Sequence, residues 1–217
     1  MNGKQKAKSL TSKIPEFYTS IQMILPVSFY ARPTLEVLED LIGKVLVRIS
    51  KGAVTSGIIV EAEAYCGEDD PASYAHTGRT KRSERLYGPP ARSFVHLTYG
   101  MHHLLNVVTE RKGFPAAVLI RALEPLQGIS LMKKRRETDE TMNLCSGPAK
   151  LCQSMEIDLE LNGMLVSSPK SPLFIREGLK EEKREGKLLW RPRIGIREGR
   201  ERPWRAYLKN SPYISAK

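Results

Sequence analysis

The stretch Gly57 to Tyr65 (GIIVEAEAY) constrains this chain more than any other. Its Ile, Val and Ala residues call for a strand packed inside a sheet, yet two glutamates interrupt them. Successive side chains of a strand point to opposite faces. Simple alternation therefore puts Ile58, Val60, Ala62 and Ala64 on one face and Glu61, Glu63 and Tyr65 on the other. Such a strand either lies at a sheet edge with its glutamates in water, or buries carboxylates that need partners to offset a raised pKa. From the pattern alone the edge strand is the plainer solution. The neighbourhood shifts the balance toward chemistry. Tyr65 shares the face of Glu63 about 7 Å along the strand, and a long polar loop, 66–92, follows at once. Long loops in compact domains are usually functional or disordered. A carboxylate beside an aromatic at a strand end suits a general base next to a flat substrate.

The remaining pattern is mixed. Leu35, Leu38, Leu41 and Ile42 recur at helical spacing after Thr34, and Gly43 ends that helix. Val45 to Val47 begins a strand. Phe94 to Tyr99, a turn at Gly100-Met101 and Leu104 to Val108 form a hairpin. Ala117 to Leu123 is a further strand ending at Pro125. Helices are expected over 127–136 and 147–156, and short strands near 164–166, 173–176, 194–196 and 206–208, with 177–187 a charged connector. The expectation is a single α+β domain around a curved antiparallel sheet, with a protruding hairpin and flanking helices. Residues 1–16 read as a basic flexible arm and 17–217 as the folded domain.

Charge narrows the partner. The 217 residues carry 35 Lys and Arg against 24 Asp and Glu, a net +11. The excess is clustered in 1–13, in 79–92 and in 176–209, the last with twelve basic residues against six glutamates. A solvated basic surface explains most such runs, but three separate clusters favour a polyanion, nucleic acid foremost. Three cysteines without a Cys-x-x-Cys pattern offer neither a disulfide framework nor a four-ligand zinc site. No His-Glu-x-x-His or Walker-type glycine loop is present, which disfavours metal-dependent nucleases and NTPases. No apolar run reaches 18 residues. The expected setting is the reducing cytoplasm, on the nucleoid in a bacterium, with no membrane contact.

Three further places could carry chemistry. Tyr99 sits at the hairpin tip, where its own sheet cannot cover it. It either folds back on the protein or serves as a wedge between stacked bases. Arg121 interrupts the run from Ala116 to Ile120. A buried arginine must be paired, either with Glu124 or another acid for structure alone, or with Glu63 to keep that carboxylate ionised. Asn106 lies in an apolar strand, as a core amide or as a residue reading a ligand edge.

With these places assembled, the segments Ile59 to Tyr65, Tyr99-Gly100-Met101 with Asn106, Leu119 to Leu126, and Ser146 to Cys152 closely resemble the alkyladenine type of the 3-methyladenine DNA glycosylase family. The likeness runs from about Phe29 to Ser215. It implies a monomer that takes double-stranded DNA containing alkylated bases, flips the damaged purine out and hydrolyses its N-glycosidic bond, starting base excision repair without a metal or other cofactor. The resemblance makes Glu63 the general base on the attacking water. Arg121 and the main-chain carbonyl of Ile194 would help to hold that water. Tyr99 would be the intercalating wedge, Tyr65 a ring stacked on the flipped base, and Asn106 a pocket-edge residue that disfavours the amine of normal guanine. Two positions depart from the pattern. Tyr74 stands where many members carry His, with His76 two residues on, and His96 stands where a second stacking Tyr is usual. Tyr74, His76 and His96 are all expected to contact the base. Two competing functions remain: a non-catalytic nucleic-acid-binding domain, and a sugar hydrolase using Glu61 and Glu63 as a carboxylate pair.

Overall fold

A computed structural model describes residues 23–179 and 187–216. The expected basic arm, 1–16, and most of the charged connector lie outside the described residues. The α+β expectation holds: one curled antiparallel sheet carries a few helices. Its strands are β1 (Val45–Ser50), β2 (Ala53–Cys66), β3 (Ser93–Thr98), β4 (His102–Val108), β5 (Ala116–Gln127), β6 (Leu173–Arg176), β7 (Leu188–Arg191) and β8 (Arg205–Leu208). The order is β3-β4-β5-β2-β1-β6. Strand β2 is the spine. It pairs with β5 along one edge, and along the other with β1 over its first half and with β8 around Glu61 to Glu63. The glutamates therefore lie in the middle of the sheet, and the edge-strand solution is excluded.

Two adjacent bulges shape this spine. Ile59 opposes Leu123 and Glu61 opposes Ala122, so Val60 is an extra residue on β2. Ala62 then opposes Ile120, so Arg121 is an extra residue on β5. A bulge bends the strand and re-aims the side chains beside it. It also breaks the simple alternation expected from the sequence. Ile58 and Val60 do not share a cluster with Ala62 and Ala64. They pack with Val45, Val47, Ala122 and Phe174, whereas Ile59, Ala62 and Ala64 join the main core with Leu46, Ile120 and Leu123. Gly57 permits a third irregularity in the pairing of β2 and β5. A Cβ there would meet the Glu124 carbonyl oxygen and Leu123 Cβ at 2.9 Å.

Helices close the core side. Helix α1 (Val27–Tyr30) leads into α2 (Thr34–Leu41), which buries Val37, Leu38 and Leu41. The start of α2 is capped from afar: the Thr34 N–H donates to Glu110 Oε1 at 2.7 Å. Helix α3 (Ile129–Arg136) packs on α4 (Pro148–Met155), and α4 lays Leu151, Cys152 and Met155 beneath β4 and β5.

Three local expectations are corrected. Strand β5 does not stop at Pro125 but runs through it to Gln127. Pro125 opposes Gly57 at the irregular step, where a missing N–H is tolerated. Residues 194–196 form a bend and not a strand, 164–166 contribute a single bridge through Leu165, and the strand of this region is β7. The hairpin turn sits one residue earlier than expected. Tyr99 and Gly100 occupy its centre at φ of +50° and +71°, and the Met101 N–H closes it onto the Thr98 carbonyl. Positive φ at both central residues is the hairpin geometry that matches strand twist.

Gly57→Ala is expected to lower unfolding stability by about 1–3 kcal/mol, because the added methyl meets backbone that cannot rotate away. A urea titration followed by circular dichroism measures this, and an unchanged midpoint contradicts the close approach.

Candidate active site

The bulges bring Arg121 over both glutamates. Its Nη1 lies 3.1 Å from Glu63 Oε1, and its Nε donates to Glu61 Oε1 at 3.1 Å. All three side chains are buried, with both glutamates at zero exposure. Glu61 also accepts from Arg205 Nη1 at 3.0 Å, from the Ser215 N–H at 2.5 Å and from the Ser215 hydroxyl at 2.8 Å. Neither Arg205 nor Ser215 lines the cavity described below, which disfavours Glu61 as half of a catalytic carboxylate pair.

Glu63 is bound differently. Oε1 accepts from the Ile194 N–H at 2.7 Å and faces Arg121, while Oε2 accepts only the Tyr65 hydroxyl, at 2.9 Å. One acceptor position on Oε2 is not used by these bonds. Burial pushes the Glu63 carboxyl above its ordinary pKa. The Arg121 charge, the Ile194 N–H and the Tyr65 hydroxyl oppose that rise without cancelling it. A raised pKa makes the ionised carboxylate a stronger proton acceptor, as a general base requires.

Tyr65, Arg121 and Ile194 stand between Glu63 and a cavity of about 570 Å³, a size that suits a small-molecule or base pocket. The cavity is also lined by Tyr74, His96, Asn106 and the hairpin-tip Tyr99. Phe94 stacks on His96 with ring centroids 5.1 Å apart, and Tyr74 meets His96 edge-on at 4.9 Å. Arg82 lies 4.0 Å over the Tyr74 ring and donates to its hydroxyl at 2.7 Å. Tyr99 is 88% exposed, so it projects from the protein and does not fold back. Of the residues singled out from the sequence, His76 alone is not brought to this region. Its side chain is exposed and its Nδ1 is bonded to the Glu68 carbonyl at 2.7 Å. The group of Ile194 that reaches Glu63 is its N–H.

The sequence reading missed what holds the far wall in place. Arg193 and Asp70 form a bidentate pair at 2.6 and 2.7 Å, and both side chains have zero exposure. Arg193 also donates to the Ala64 carbonyl and lies over the Tyr65 and Trp204 rings at 4.8 and 5.2 Å. This pair ties the loop after β2 to the segment carrying Ile194. Arg193 and Arg205 had been counted within the basic run 176–209, but both are buried and paired, so that run is not wholly surface. Asp70 ends the acidic run Glu68-Asp69-Asp70, and nothing in the sequence marks it as the buried member. Among the described residues, no cluster of His, Cys, Asp or Glu is arranged to hold a metal ion, and no helix is long and apolar enough to cross a membrane.

Nearly the whole described domain is similar to proteins of one family. The family model described as methylpurine-DNA glycosylase matches residues 28–212. A protein of Carboxydothermus hydrogenoformans named "Putative 3-methyladenine DNA glycosylase" is 47% identical over 195 residues, 90% of this chain and all of that protein. Relatives of the same name from Methanocella arvoryzae and Bacillus cereus are 44% and 42% identical. They cover 88% and 90% of this chain, and 96% and 100% of their own length.

Arg193→Met leaves Asp70 buried and unpaired. It is expected to cost about 3–5 kcal/mol of stability, read as a lowered urea midpoint. A loss below 1 kcal/mol contradicts the buried pairing.

Proposed function

This chain belongs to the methylpurine-DNA glycosylase family, and from that membership we propose that it is a DNA repair N-glycosylase that removes alkylated purines such as 3-methyladenine from double-stranded DNA. The observation that carries the reading is Glu63, a buried carboxylate whose pKa is raised, directly behind the wall of a ring-lined cavity. A binding module has no need of such a group.

The target bond lies inside a duplex, so the base must leave the stack at a cost of a few kcal/mol. Tyr99 is suited to fill the gap it leaves, being a large ring on a tight turn that stands clear of the protein. The extruded purine enters the cavity beside Tyr65, Tyr74 and His96, where stacking contributes about 1–3 kcal/mol per base. A cationic alkylpurine gains further from the ring faces, and its positive charge makes it a good leaving group. As the N-glycosidic bond lengthens, the sugar develops oxocarbenium character, which the Glu63 charge stabilises. Glu63 Oε2 takes the proton of the attacking water. The oxygen bonds to the sugar carbon while the bond electrons leave with the base. Arg121 keeps Oε1 occupied, which leaves Oε2 as the working oxygen. The Ile194 carbonyl is proposed as a further contact for that water. No lysine belongs to this constellation, so a strand-cleaving Schiff-base step is not part of the reading. The enzyme acts as a monomer.

Glu63→Gln is expected to lower release of 3-methyladenine from methylated duplex by at least about 10²-fold, with lesion binding retained in a gel-shift assay. Wild-type rates should fall as pH drops through the raised pKa of Glu63, because only its ionised form accepts the proton. Full release by the glutamine variant refutes the role. For Tyr99→Ala, unfolding stability should hold, since the side chain is exposed, while affinity for lesion-bearing duplex weakens. Unchanged affinity for lesion and undamaged duplex refutes the wedge.

A further inference from the structure

Tyr65 carries a hydroxyl that a flat cavity wall does not need. It follows Glu63 by two residues on β2, in a stretch whose pairing with β5 is regular, so both side chains leave one face of the strand. The phenol leans back along the strand and donates to Glu63 Oε2 at 2.9 Å. That is the oxygen not taken by the Arg121 and Ile194 contacts, which both fall on Oε1. The peptide between the two residues is clamped at both ends. The Ala64 N–H donates to the Trp204 carbonyl at 2.8 Å, and the Ala64 carbonyl accepts from Arg193 Nη1 at 3.0 Å. Arg193 also lies 4.8 Å over the Tyr65 ring, and Asp70 holds Arg193 in place. The hydroxyl therefore has a fixed address. Burial, with the Glu63 carboxylate adding to it, pushes the phenol above the ordinary tyrosine pKa, against a smaller opposite pull from Arg193 and Arg121. The O–H stays protonated and remains a donor across the working pH range. A donor favours the ionised carboxylate over the acid and so opposes the rise that burial imposes on Glu63. It also fills one of the two lone-pair positions of Oε2.

We infer that Tyr65 is a positioning residue for Glu63, whose hydroxyl fixes which lone pair of Oε2 meets the attacking water and keeps that oxygen ionised. The inference rests on the glycosylase reading for the water and adds a second task to the Tyr65 side chain. The ring serves the cavity and the hydroxyl serves the base. A phenylalanine would supply the ring alone. The other charged groups around Glu63 are Arg121 of β5, Glu61 of β2, Arg205 of β8, which is bonded to Glu61, and Arg193 behind the Tyr65 ring, paired with Asp70. The segment after β7 adds the Ile194 N–H. A change confined to the phenol oxygen alters none of these groups. Loss of the hydroxyl removes a donor from the ionised form only, so the pH at which Glu63 loses its proton moves up. A stronger donor at the same place moves it down.

Two changes at Tyr65 separate ring from hydroxyl. Tyr65→Phe removes the donor, and replacement of Tyr65 by 3-fluorotyrosine keeps it on a more acidic phenol. Infrared difference spectra of the full chain, without DNA, follow the carboxylic acid band of Glu63 against pH, the band being assigned by its loss in Glu63→Gln. The midpoint is expected about one pH unit higher in Tyr65→Phe than in wild type, and lower than wild type with 3-fluorotyrosine. Midpoints that do not move, or that move the opposite way, overturn the proposal. The fluorinated chain decides the matter if Tyr65→Phe does not fold. Single-turnover release of 3-methyladenine from methylated duplex is then measured across the same pH range. The deficit of Tyr65→Phe is expected to be about tenfold larger below the wild-type midpoint than above the midpoint of the variant, as a shift of one pH unit requires. An equal deficit at every pH assigns the hydroxyl to structure alone and overturns the proposal. Wild-type protein that releases no base at any pH refutes the glycosylase reading instead, and the infrared midpoints then decide the coupling of Tyr65 to Glu63 by themselves.

Discussion

The Arg121 guanidinium set between Glu61 and Glu63 is the interaction on which the rest of this structure depends. Three charges with almost no solvent contact are costly to desolvate, and removal of any one would strand the others. The fold keeps charges in balance there. Two glutamates face two arginines, because Arg205 on β8 joins Glu61 from the opposite side. Glu61 takes four donors and Glu63 three. The two differ in where those partners stand, since all three partners of Glu63 line the cavity and Arg205 and Ser215 beside Glu61 do not. The paired bulges make this possible, since Arg121 is itself the extra residue of β5, and a regular ladder would impose the ordinary alternation on it.

From that centre the cavity walls are fixed in sequence. The Arg193–Asp70 pair joins the segment after β7 to the loop after β2, and the next residue, Ile194, delivers its N–H to Glu63. Arg193 also spans the Tyr65 and Trp204 rings, so the tyrosine that donates to Glu63 is braced from behind. Loops are ordinarily the mobile parts of a domain. These two are held by a bidentate ionic contact with no exposure, which fixes the position of the Ile194 N–H relative to Glu63.

Much of this centre was legible before any coordinates. Glu63 stood out because carboxylates do not belong among Ile, Val and Ala, and Arg121 stood out for the same reason on β5. Tyr99 was legible because no strand covers a ring on a two-residue turn. The bulges were not legible. Alternation predicts one pleat throughout, and nothing in GIIVEAEAY announces an extra residue at Val60. The faces of Ile58 and Val60 were misassigned for that reason. Pro125 likewise signals a strand end by local rules, and the irregular pairing at Gly57 overrides it. Arg193 and Arg205 were hidden by their company. Within a basic run, composition cannot separate a buried, paired arginine from one that faces a polyanion.

The cavity is held by two kinds of force, and they divide the work. On the Glu63 side, ionic contacts and a backbone N–H set positions that tolerate little substitution, because each partner removed leaves a buried charge unpaired. On the hairpin side, His96, Tyr74 and Phe94 are held by edge and face contacts and one amide. Exchanging one flat ring for another there changes which hydrogens the cavity presents while leaving every contact of Glu63 intact. Tyr74 and His96 both lie on this side and touch each other. The physical consequence is that the rings lining the cavity can change without disturbing the ionic contacts that hold Glu63.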